Sequence, residues 1–215
     1  TEKLIPEKYQ HDFQSLISII HPEAIVTYSV FKQEVFDQFD ESPQVKHLIL
    51  SDDVELERKP LNGEIPGLLR EEDSVVLLQH SSGSTGLQKG VALSHQAVFN
   101  QLDEYSKAIK LDADRDVIVS WLPLYHDMGL IACYLMPILY RTQLVMMSPF
   151  DWVKAPYRLM TAITEYKGTL CWLPNFAYNF CAKKVRDSQL ENVDLSTMRA
   201  VINCSEPMRD TSHQE

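Results

Sequence analysis

The segment SSGSTGLQKG (81–90) combines small hydroxyl residues, glycines and a lysine, a composition that suits the binding of an anion. Gly83 and Gly86 permit positive φ angles, so backbone N–H groups beside them can come close to a ligand. Lys89 supplies a mobile positive charge. Further hydroxyl donors come from Ser81, Ser82, Ser84 and Thr85. The segment is therefore a candidate phosphate-binding loop.

This candidate loop differs from a Walker A motif, in which lysine and then serine or threonine directly follow the last glycine. Here Leu87, Gln88 and Lys89 follow Gly86, and another strand-like run comes next instead of a helix. We expect two strands joined by a long glycine-rich turn that can close over phosphates. A solvated hairpin without a ligand is the alternative, because glycine and serine are ordinary turn residues.

A second motif, WLPLYHDMG (121–129), places Tyr125, His126 and Asp127 directly after an apolar strand-like run. His126 could contact a substrate carboxylate or transfer a proton, and Asp127 could orient its ring. Alternatively, Asp127 caps a helix beside a structural histidine. A serine hydrolase is disfavoured, because there is no GxSxG motif and Ser84 lies in a loop too rich in glycine to hold a nucleophile rigidly.

A third motif, VINCSEPMR (201–209), is an apolar run that ends in a small polar turn. Its backbone could line a flat ligand such as adenine, with Glu206 near the sugar or against a buried donor. Alternatively, Glu206 and Pro207 begin a helix. The aromatic residues of LPNFAYNF (173–180) recur at helical spacing, which is typical of a core but is also compatible with a pocket.

The composition of the chain indicates a globular protein with one sizeable core. Of its 215 residues, 45% are hydrophobic and 23% are charged. The formal net charge is −10, and the lysines and arginines are scattered along the chain. A nucleic-acid-binding surface needs clustered basic residues, so we expect no nucleic acid partner.

The cysteines stand in apolar surroundings without a CxxC pair, which predicts reduced, core-filling thiols in a cytoplasmic protein. They are Cys133, Cys171, Cys181 and Cys204. The most apolar stretch, 130–140, is too short to cross a bilayer and contains Pro137, so we predict a buried helix there. The start of the chain lacks the basic-then-apolar pattern of a signal peptide and begins with Thr1 rather than Met, and its polar end has no closing element, so we expect a fragment of a larger protein.

Helical and strand-like segments alternate along the chain. We predict helices over 9–20, 31–39, 94–109, 128–140, 151–166 and 175–187, with Ser94 and Asp151 as caps. We predict strands over 24–29, 45–50, 73–79, 90–94, 116–123, 142–148, 168–174 and 199–204, and a surface loop over 51–72. Apolar strands separated by helices imply an α/β fold whose mostly parallel sheet is covered on both faces. Ligands in such folds lie beyond the carboxyl ends of the strands.

Taken in order, SSGSTGLQKG, WLPLYHDMGL, SPF, LPNFAY and NCSEPMR resemble the motifs of the AMP-forming acyl-activating superfamily. This superfamily includes acyl-CoA synthetases, luciferases and the adenylation domains of peptide synthetases. PLYHDMGL and PNFAY are especially similar to its fatty-acyl-AMP ligase and fatty acyl-CoA synthetase branch. The resemblance is specific over 73–209 and general before it. It implies that 1–215 is part of an N-terminal AMP-binding domain of the acyl-CoA synthetase type, with mostly parallel sheets and flanking helices.

The resemblance also implies roles for the motifs. Residues 81–90 would hold the β- and γ-phosphates of ATP, with Lys89 neutralising their charge, and His126 would lie beside the carboxylate of the acyl substrate. The adenine would be lined by Cys204, Ser205, Glu206 and Pro207, and the substrate site by Tyr125, His126, Asn175 and Phe176. Gln88 replaces a usual proline, which should loosen the lid. Cys204 and Ser205 replace a more usual Gly-Ala pair, which should shift the adenine wall slightly.

The implied reaction converts ATP and a fatty acid to an acyl adenylate and pyrophosphate, before transfer to coenzyme A or an acyl carrier protein. The YGxTE segment that supplies the family's magnesium ligand does not occur in 1–215, and neither does the C-terminal domain with its catalytic lysine. We therefore expect Mg²⁺ to be bound outside this chain and the chain to be inactive alone. The apolar GTLCWLPNFAY (168–178) favours an aliphatic tail. An aryl or amino acid substrate, or an inert nucleotide-binding module, remain alternatives.

Overall fold

The computed structural model describes residues 6–35, 45–54, 63–81, 89–203 and 205–207. These residues belong to two compact units, Thr1–Ile65 and Pro66–Glu215. Among the described residues, no helix has both the length and the apolar character needed to cross a membrane.

The first unit contains a small parallel strand pair with a helix between its strands. Its elements are α1 (Pro6–Ile20), β1 (Ala24–Thr27), α2 (Ser29–Val35), β2 (His47–Leu50) and a 3₁₀ turn (Ser51–Asp53). Phe13 packs edge-on against Phe31 with ring centroids 5.9 Å apart. The Ser29 N–H donates to Asp52 Oδ2 at 2.6 Å, which satisfies a free donor at the start of α2. The predicted helix is described only as far as Val35, and its last predicted residues lie outside the described part.

The second unit begins with a 3₁₀ turn (Pro66–Leu69) and the predicted hairpin, formed by antiparallel β3 (Val75–Ser81) and β4 (Lys89–Ser94). The chain then enters α3 (His95–Ala108). Ser94 caps this helix as predicted, because its Oγ accepts the Ala97 N–H at 3.1 Å. One side of α3 is buried through residues spaced four apart: Val98, Leu102 and Ser106.

A four-stranded parallel sheet forms the centre of the second unit. Its strands are β5 (Val117–Ser120), β6 (Gln143–Met146), β7 (Leu170–Leu173) and β8 (Ala200–Asn203), in the spatial order β6-β5-β7-β8. All three pairings are parallel, and β5 and β7 are buried along their whole length. The predicted α/β class is therefore confirmed. Because the strands are parallel, the connections that leave them all start at one edge of the sheet.

The segment predicted as one buried helix over 128–140 has two parts. It is a π-helix over Met128–Leu135 and continues as α4 (Met136–Tyr140), where Pro137 occupies the first turn. Proline has no N–H to donate, but a first helical turn does not need one. The buried helix predicted over 130–140 is buried at Cys133 and Met136, but the prediction was wrong at its end, where Ile138 and Leu139 are exposed.

The segment predicted as one helix over 151–166 is also divided, into α5 (Pro149–Lys154) and α6 (Tyr157–Tyr166). Pro156 causes the break, because its ring forces Ala155 out of the helical conformation, to φ −147° and ψ 74°. The predicted cap at Asp151 was wrong. The N-cap of α5 is Ser148, because its Oγ accepts the Phe150 N–H at 3.2 Å. A further helix, α7 (Asn175–Lys184), and a 3₁₀ turn (Asp187–Gln189) lead towards β8.

Candidate functional site

Three of the sequence motifs leave neighbouring strands at the same edge of the sheet. Residues 121–127 follow β5, 174–176 follow β7, and 205–207 lie just beyond β8. Together they line a cavity of about 400 Å³, which we call the His126 cavity. Its wall includes the predicted residues Tyr125, His126, Phe176, Ser205 and Glu206. The fold thus brings together side chains that are up to about eighty positions apart in the sequence.

The imidazole of His126 is oriented by the adjacent carboxylate, as the sequence predicted. Its Nδ1 lies 2.7 Å from Asp127 Oδ1. The Met128 N–H lies 2.7 Å from the same oxygen and 3.2 Å from Nδ1, so it is within hydrogen-bonding distance of both acceptors. Nε2 is the ring nitrogen that takes part in neither of these contacts. Asp127 also caps the π-helix, so the alternative helix-start role holds as well.

The turn that carries His126 is held by backbone hydrogen bonds on both sides. The His126 N–H donates to the Pro123 carbonyl at 3.2 Å, and the Leu130 N–H donates to the His126 carbonyl at 2.9 Å. The histidine is therefore attached both to the strand exit and to the first turn of the π-helix. Tyr125, by contrast, is 91% exposed at the mouth of the cavity.

A cluster of aromatic rings forms part of the wall of the His126 cavity. Trp121 and Trp152 are stacked in parallel with centroids 3.7 Å apart, and both are buried. Phe176 meets both indoles edge-on, at 6.2 and 6.3 Å. Such edge-to-face packing favours one ring orientation. Phe176 is therefore a cavity residue that packs on the buried indoles, but it is exposed and does not belong to the core.

The polar turn after β8 is attached to the first turn of α7. Glu206 Oε2 accepts the Phe176 N–H at 3.2 Å, and α7 has no side-chain cap of its own. Ser205 has a φ of 73°, which turns the chain sharply at this point. Glu206 thus contacts a donor, although it is exposed rather than buried. Asn175 and Pro207 lie beside it along a smaller cavity, and Cys204 lies outside the described residues.

A second cavity, of about 660 Å³, adjoins the first and was not predicted from the sequence. We call it the α3 cavity, because α3 forms one wall, with β3, β4 and the π-helix forming the others. Met128 and Ser205 line both cavities. These two residues therefore stand where the two cavities meet. The α3 cavity escaped prediction because its lining comes from separate segments without a common periodicity.

The candidate phosphate loop connects two strand ends that lie side by side. Ser81 and Lys89 are paired across the antiparallel ladder, which confirms the predicted strand and returning strand. Only the backbone of these two residues is described. The rest of the predicted loop lies outside the described residues, namely Ser82, Gly83, Ser84, Thr85 and Gly86. In the described part of the chain, no group of three His, Cys, Asp or Glu residues is placed to hold a metal ion.

The chain is similar to several known ligases along part of their length. It is 34% identical over 137 residues to the medium-chain-fatty-acid–[acyl-carrier-protein] ligase TtuA of Teredinibacter turnerae. The aligned region covers 64% of this chain and 21% of the relative. It is 31% identical over 146 residues to the long-chain-fatty-acid–AMP ligase FadD26 of Mycobacterium bovis. Here the aligned region covers 66% of this chain and 25% of the relative. The chain thus spans about a quarter or less of these relatives.

The fold is similar to a solved structure along the whole chain. A fatty acyl-adenylate ligase from L. pneumophila, crystallised with acyl adenylate and pyrophosphate, superposes with a TM-score of 0.81 at 30% identity. The match covers 100% of this chain and 36% of that one. The family model described as AMP-binding enzyme matches residues 7–215. The chain therefore belongs to the AMP-binding enzyme family.

Proposed function

We propose that the full-length protein activates a fatty acid with ATP, forming an acyl adenylate and pyrophosphate. The observation that carries this proposal is the convergence of His126, Ser205 and Glu206 on one cavity at the carboxyl edge of the sheet. The names of the similar ligases, which act on fatty acids, support the same substrate class.

In this proposal the nucleotide lies on the Ser205–Pro207 side of the His126 cavity and the acid on the other. The carboxylate lies before His126, whose Nε2 faces it, while Tyr125, Asn175 and Phe176 shape the substrate site. The tail passes Met128 into the α3 cavity, whose wall is mainly apolar. Met128 and Ser205 line both cavities, so the junction that they form is the natural place for the reacting atoms.

The chemical step joins a carboxylate oxygen to the α-phosphorus of ATP. The new P–O bond forms as the bond from the α-phosphorus to the bridging oxygen breaks, and pyrophosphate leaves with the electron pair. Two anions react, so positioning and neutralisation of charge supply most of the barrier reduction. We assign the neutralisation to Lys89 and to the hydroxyl and N–H groups of 81–90. ATP would enter as its Mg²⁺ complex.

The proposal extends to the later fate of the acyl group and to the compartment. The adenylate would pass its acyl group to a thiol of coenzyme A or of an acyl carrier protein; a carrier-protein acceptor is named for the relative TtuA. Three of the cysteines, Cys133, Cys171 and Cys181, are buried thiols that are not in disulfides. Such thiols suit a reducing compartment, so we propose a cytoplasmic protein.

Fatty-acid-dependent exchange of pyrophosphate into ATP tests the proposal in the full-length protein. We expect exchange with wild type, and a fall of about ten- to a thousandfold in Lys89→Ala, by analogy with the loss of one transition-state donor. Lys107→Ala is the matched control, because Lys107 lies exposed on α3 and pairs with Asp103 and Glu104. A normal exchange rate in Lys89→Ala would show that Lys89 does not neutralise the phosphate charge in the way proposed. Binding of ATP without any exchange would indicate a nucleotide-binding module instead.

A further inference from the structure

Two helices that form walls of the α3 cavity lead to the edge of the sheet opposite the site. The π-helix starts beside His126 and continues into α4, which leads back to the start of β6. Because β6 is parallel to β5, its start lies at the opposite edge. Helix α3 ends there too, since the Ile109 carbonyl accepts a hydrogen bond from Arg199 Nη1 at 2.7 Å, and Arg199 directly precedes β8. Both helices can therefore bound an acyl tail that extends from the site towards that edge.

On α3, the residues that line the cavity stop before the helix ends. Ala97, Gln101 and Tyr105 are spaced four apart on one face of the helix, and all three line the cavity. Ile109 is the next residue on this face, but it packs against the core and does not line the cavity. On this wall the cavity therefore ends at Tyr105.

The lining from the π-helix also stops partway. Met128, where the α3 cavity meets the His126 cavity, is followed by Ile131 and Ala132 as lining residues. Met136 comes one turn after Ala132 and is fully buried, but it does not line the cavity. The α3 cavity is thus open at the site and ends, along both helices, before the opposite edge of the sheet.

The ring of Tyr105 is held in place at the closed end of the cavity. Its Oη accepts a hydrogen bond from Trp172 Nε1 at 2.5 Å, and its ring packs edge-on against that indole with centroids 6.3 Å apart. Trp172 is fully buried in β7, an inner strand of the sheet. A longer tail that pushed the Tyr105 ring aside would break both contacts, which is unfavourable. Tyr105 is therefore a fixed end wall.

The length of the lined face of α3 gives a length for the tail. Helix α3 rises about 12 Å between Ala97 and Tyr105, at about 1.5 Å per residue. An extended alkyl tail advances about 1.3 Å per carbon, given C–C bonds of about 1.5 Å, so this face matches about nine carbons. A much longer tail would have to leave the cavity or displace the ring of Tyr105.

We propose that Tyr105 ends the acyl site and that the preferred acid is of medium chain length, about eight to twelve carbons. This inference rests on the proposed fatty-acid-activating function and specifies its substrate class. The carboxylate stays before His126, the tail passes Met128, and its last carbons lie against Tyr105 and Ala132. The chemical step is unchanged, because the end wall acts only on the binding of the tail.

Pyrophosphate release from the full-length protein, measured with saturated acids from hexanoic to octadecanoic acid, tests the inference. We expect wild type to use decanoic acid about tenfold better than hexadecanoic acid in kcat/KM. Tyr105→Ala extends the cavity and should raise the ratio of hexadecanoic to decanoic kcat/KM by about tenfold, the effect of burying about two more methylene groups. Ala132→Leu fills the same end from the other helix and should shift the preference towards shorter acids.

Two control variants separate the end wall from stability. Tyr105→Phe keeps the ring and removes only the acceptor for Trp172 Nε1, so it should keep the wild-type order of preference among the acids. Tyr140→Ala is the matched control, because Tyr140 is also a partly buried tyrosine packed against the core but does not line the α3 cavity. It should lose thermal stability and keep the wild-type order of preference.

The outcomes distinguish this inference from the proposed function. Equal or better use of hexadecanoic acid than of decanoic acid by wild type would overturn the inference and leave the proposed function intact. So would an unchanged preference in Tyr105→Ala or in Ala132→Leu. Absence of pyrophosphate release with every acid would instead overturn the proposed function.

Discussion

Gly129 lies against the backbone of Pro123 so closely that a Cβ atom at position 129 would be 2.3 Å from the Pro123 carbonyl oxygen. It would also be 3.0 Å from the Pro123 carbonyl carbon. The same carbonyl oxygen accepts the His126 N–H. The contact therefore joins the π-helix to the turn that carries His126, and only glycine permits it. The atoms nearest to such a Cβ belong to the backbone of Pro123 and Leu122, so they cannot move aside as the end of a flexible side chain could.

Replacing Gly129 with alanine should displace the His126 turn. The added methyl group must move the backbone at Pro123, and small displacements of a reacting group can cost about a hundredfold in rate. We expect kcat for pyrophosphate release to fall by about ten- to a hundredfold, with KM for the acid raised and KM for ATP little changed. Steady-state kinetics of the full-length protein measures all three quantities.

Gly168→Ala is the control for Gly129→Ala. A Cβ atom there would be 2.7 Å from Val119 Cγ2 and 3.2 Å from Ile163 Cα, but Gly168 precedes β7, at the edge of the sheet opposite the site. Overpacking of this kind costs about 1–3 kcal/mol. We expect both variants to lose thermal stability and only Gly129→Ala to lose activity. Equal loss of activity in both would show that the Gly129 contact acts through stability alone.

The edge of the sheet opposite the site is held by an ion pair. Asp116, Thr169 and Arg199 directly precede β5, β7 and β8. Arg199 Nη2 donates to Asp116 Oδ2 at 2.6 Å, the Thr169 hydroxyl donates to Oδ1 at 2.7 Å, and Arg199 Nη1 reaches the Ile109 carbonyl at 2.7 Å. Burial by itself raises the pKa of Asp116, but the hydrogen bonds from Arg199, the Asp112 N–H and Thr169 outweigh it, so this pKa is lowered.

Arg199→Ala should destabilise the second unit because it leaves the buried carboxylate of Asp116 without its cation. We expect a loss of about 1–3 kcal/mol at neutral pH. Arg115→Ala, which removes an exposed pair with Asp112, should cost much less, because solvent screens this pair. Thermal or urea unfolding of wild type and both variants provides the comparison. Similar losses in the two variants would contradict the structural role given to Arg199.

The pH dependence of the Arg199 effect has a defined sign. The folded pKa of Asp116 lies below its usual value of 3.8, so its stabilising contribution is present above about pH 3.8 and is lost as the pH falls through the folded pKa. The stability difference between wild type and Arg199→Ala should therefore be constant near neutral pH and shrink on acidification below about pH 4. Unfolding measured across this pH range tests it. A difference that grew on acidification would be inconsistent with the lowered pKa.

Features set by local chemistry were predictable from the sequence. The cap at Ser94, the apolar runs of β5 and β7 and the presence of strands before and after the glycine-rich segment depend on neighbouring residues, and all were confirmed for the described residues. The site motifs were found for a related reason, since each follows a strand and parallel strands end at one edge. Local signals therefore predicted that these motifs would lie close together.

Features set by tertiary contacts were not predictable in the same way. The π-helix depends on the close approach of Gly129 to Pro123, which no apolar periodicity encodes. The contact of Glu206 with Phe176 joins residues that are thirty positions apart. The break between α5 and α6, by contrast, was predictable from the sequence. Pro156 sterically disfavours a helical conformation at the preceding residue, Ala155.

Mutagenesis can test whether α5 is capped by Ser148, as in the structure, or by Asp151, as predicted from the sequence. Ser148→Ala removes the oxygen that accepts the Phe150 N–H and should cost about 1 kcal/mol. Asp151→Ala changes only a residue in the first turn and should cost a few tenths of a kcal/mol through the helix dipole. Thermal unfolding of the two variants compares them directly. A larger loss in Asp151→Ala would restore the cap predicted from the sequence.

The attachment of Glu206 to α7 predicts that its oxygen matters more than its charge. Glu206→Ala should free the Phe176 N–H, cost about 1 kcal/mol as the loss of a helix cap, and loosen the Ser205–Pro207 turn, so that KM for ATP rises. Glu206→Gln keeps an acceptor oxygen at the same distance from the backbone and should retain most of the stability and the wild-type KM. Unfolding and ATP-dependence measurements on both variants decide the point. If Glu206→Gln behaved like Glu206→Ala, the negative charge itself would be the required feature, acting on the helix N-terminus or on the nucleotide rather than through the hydrogen bond.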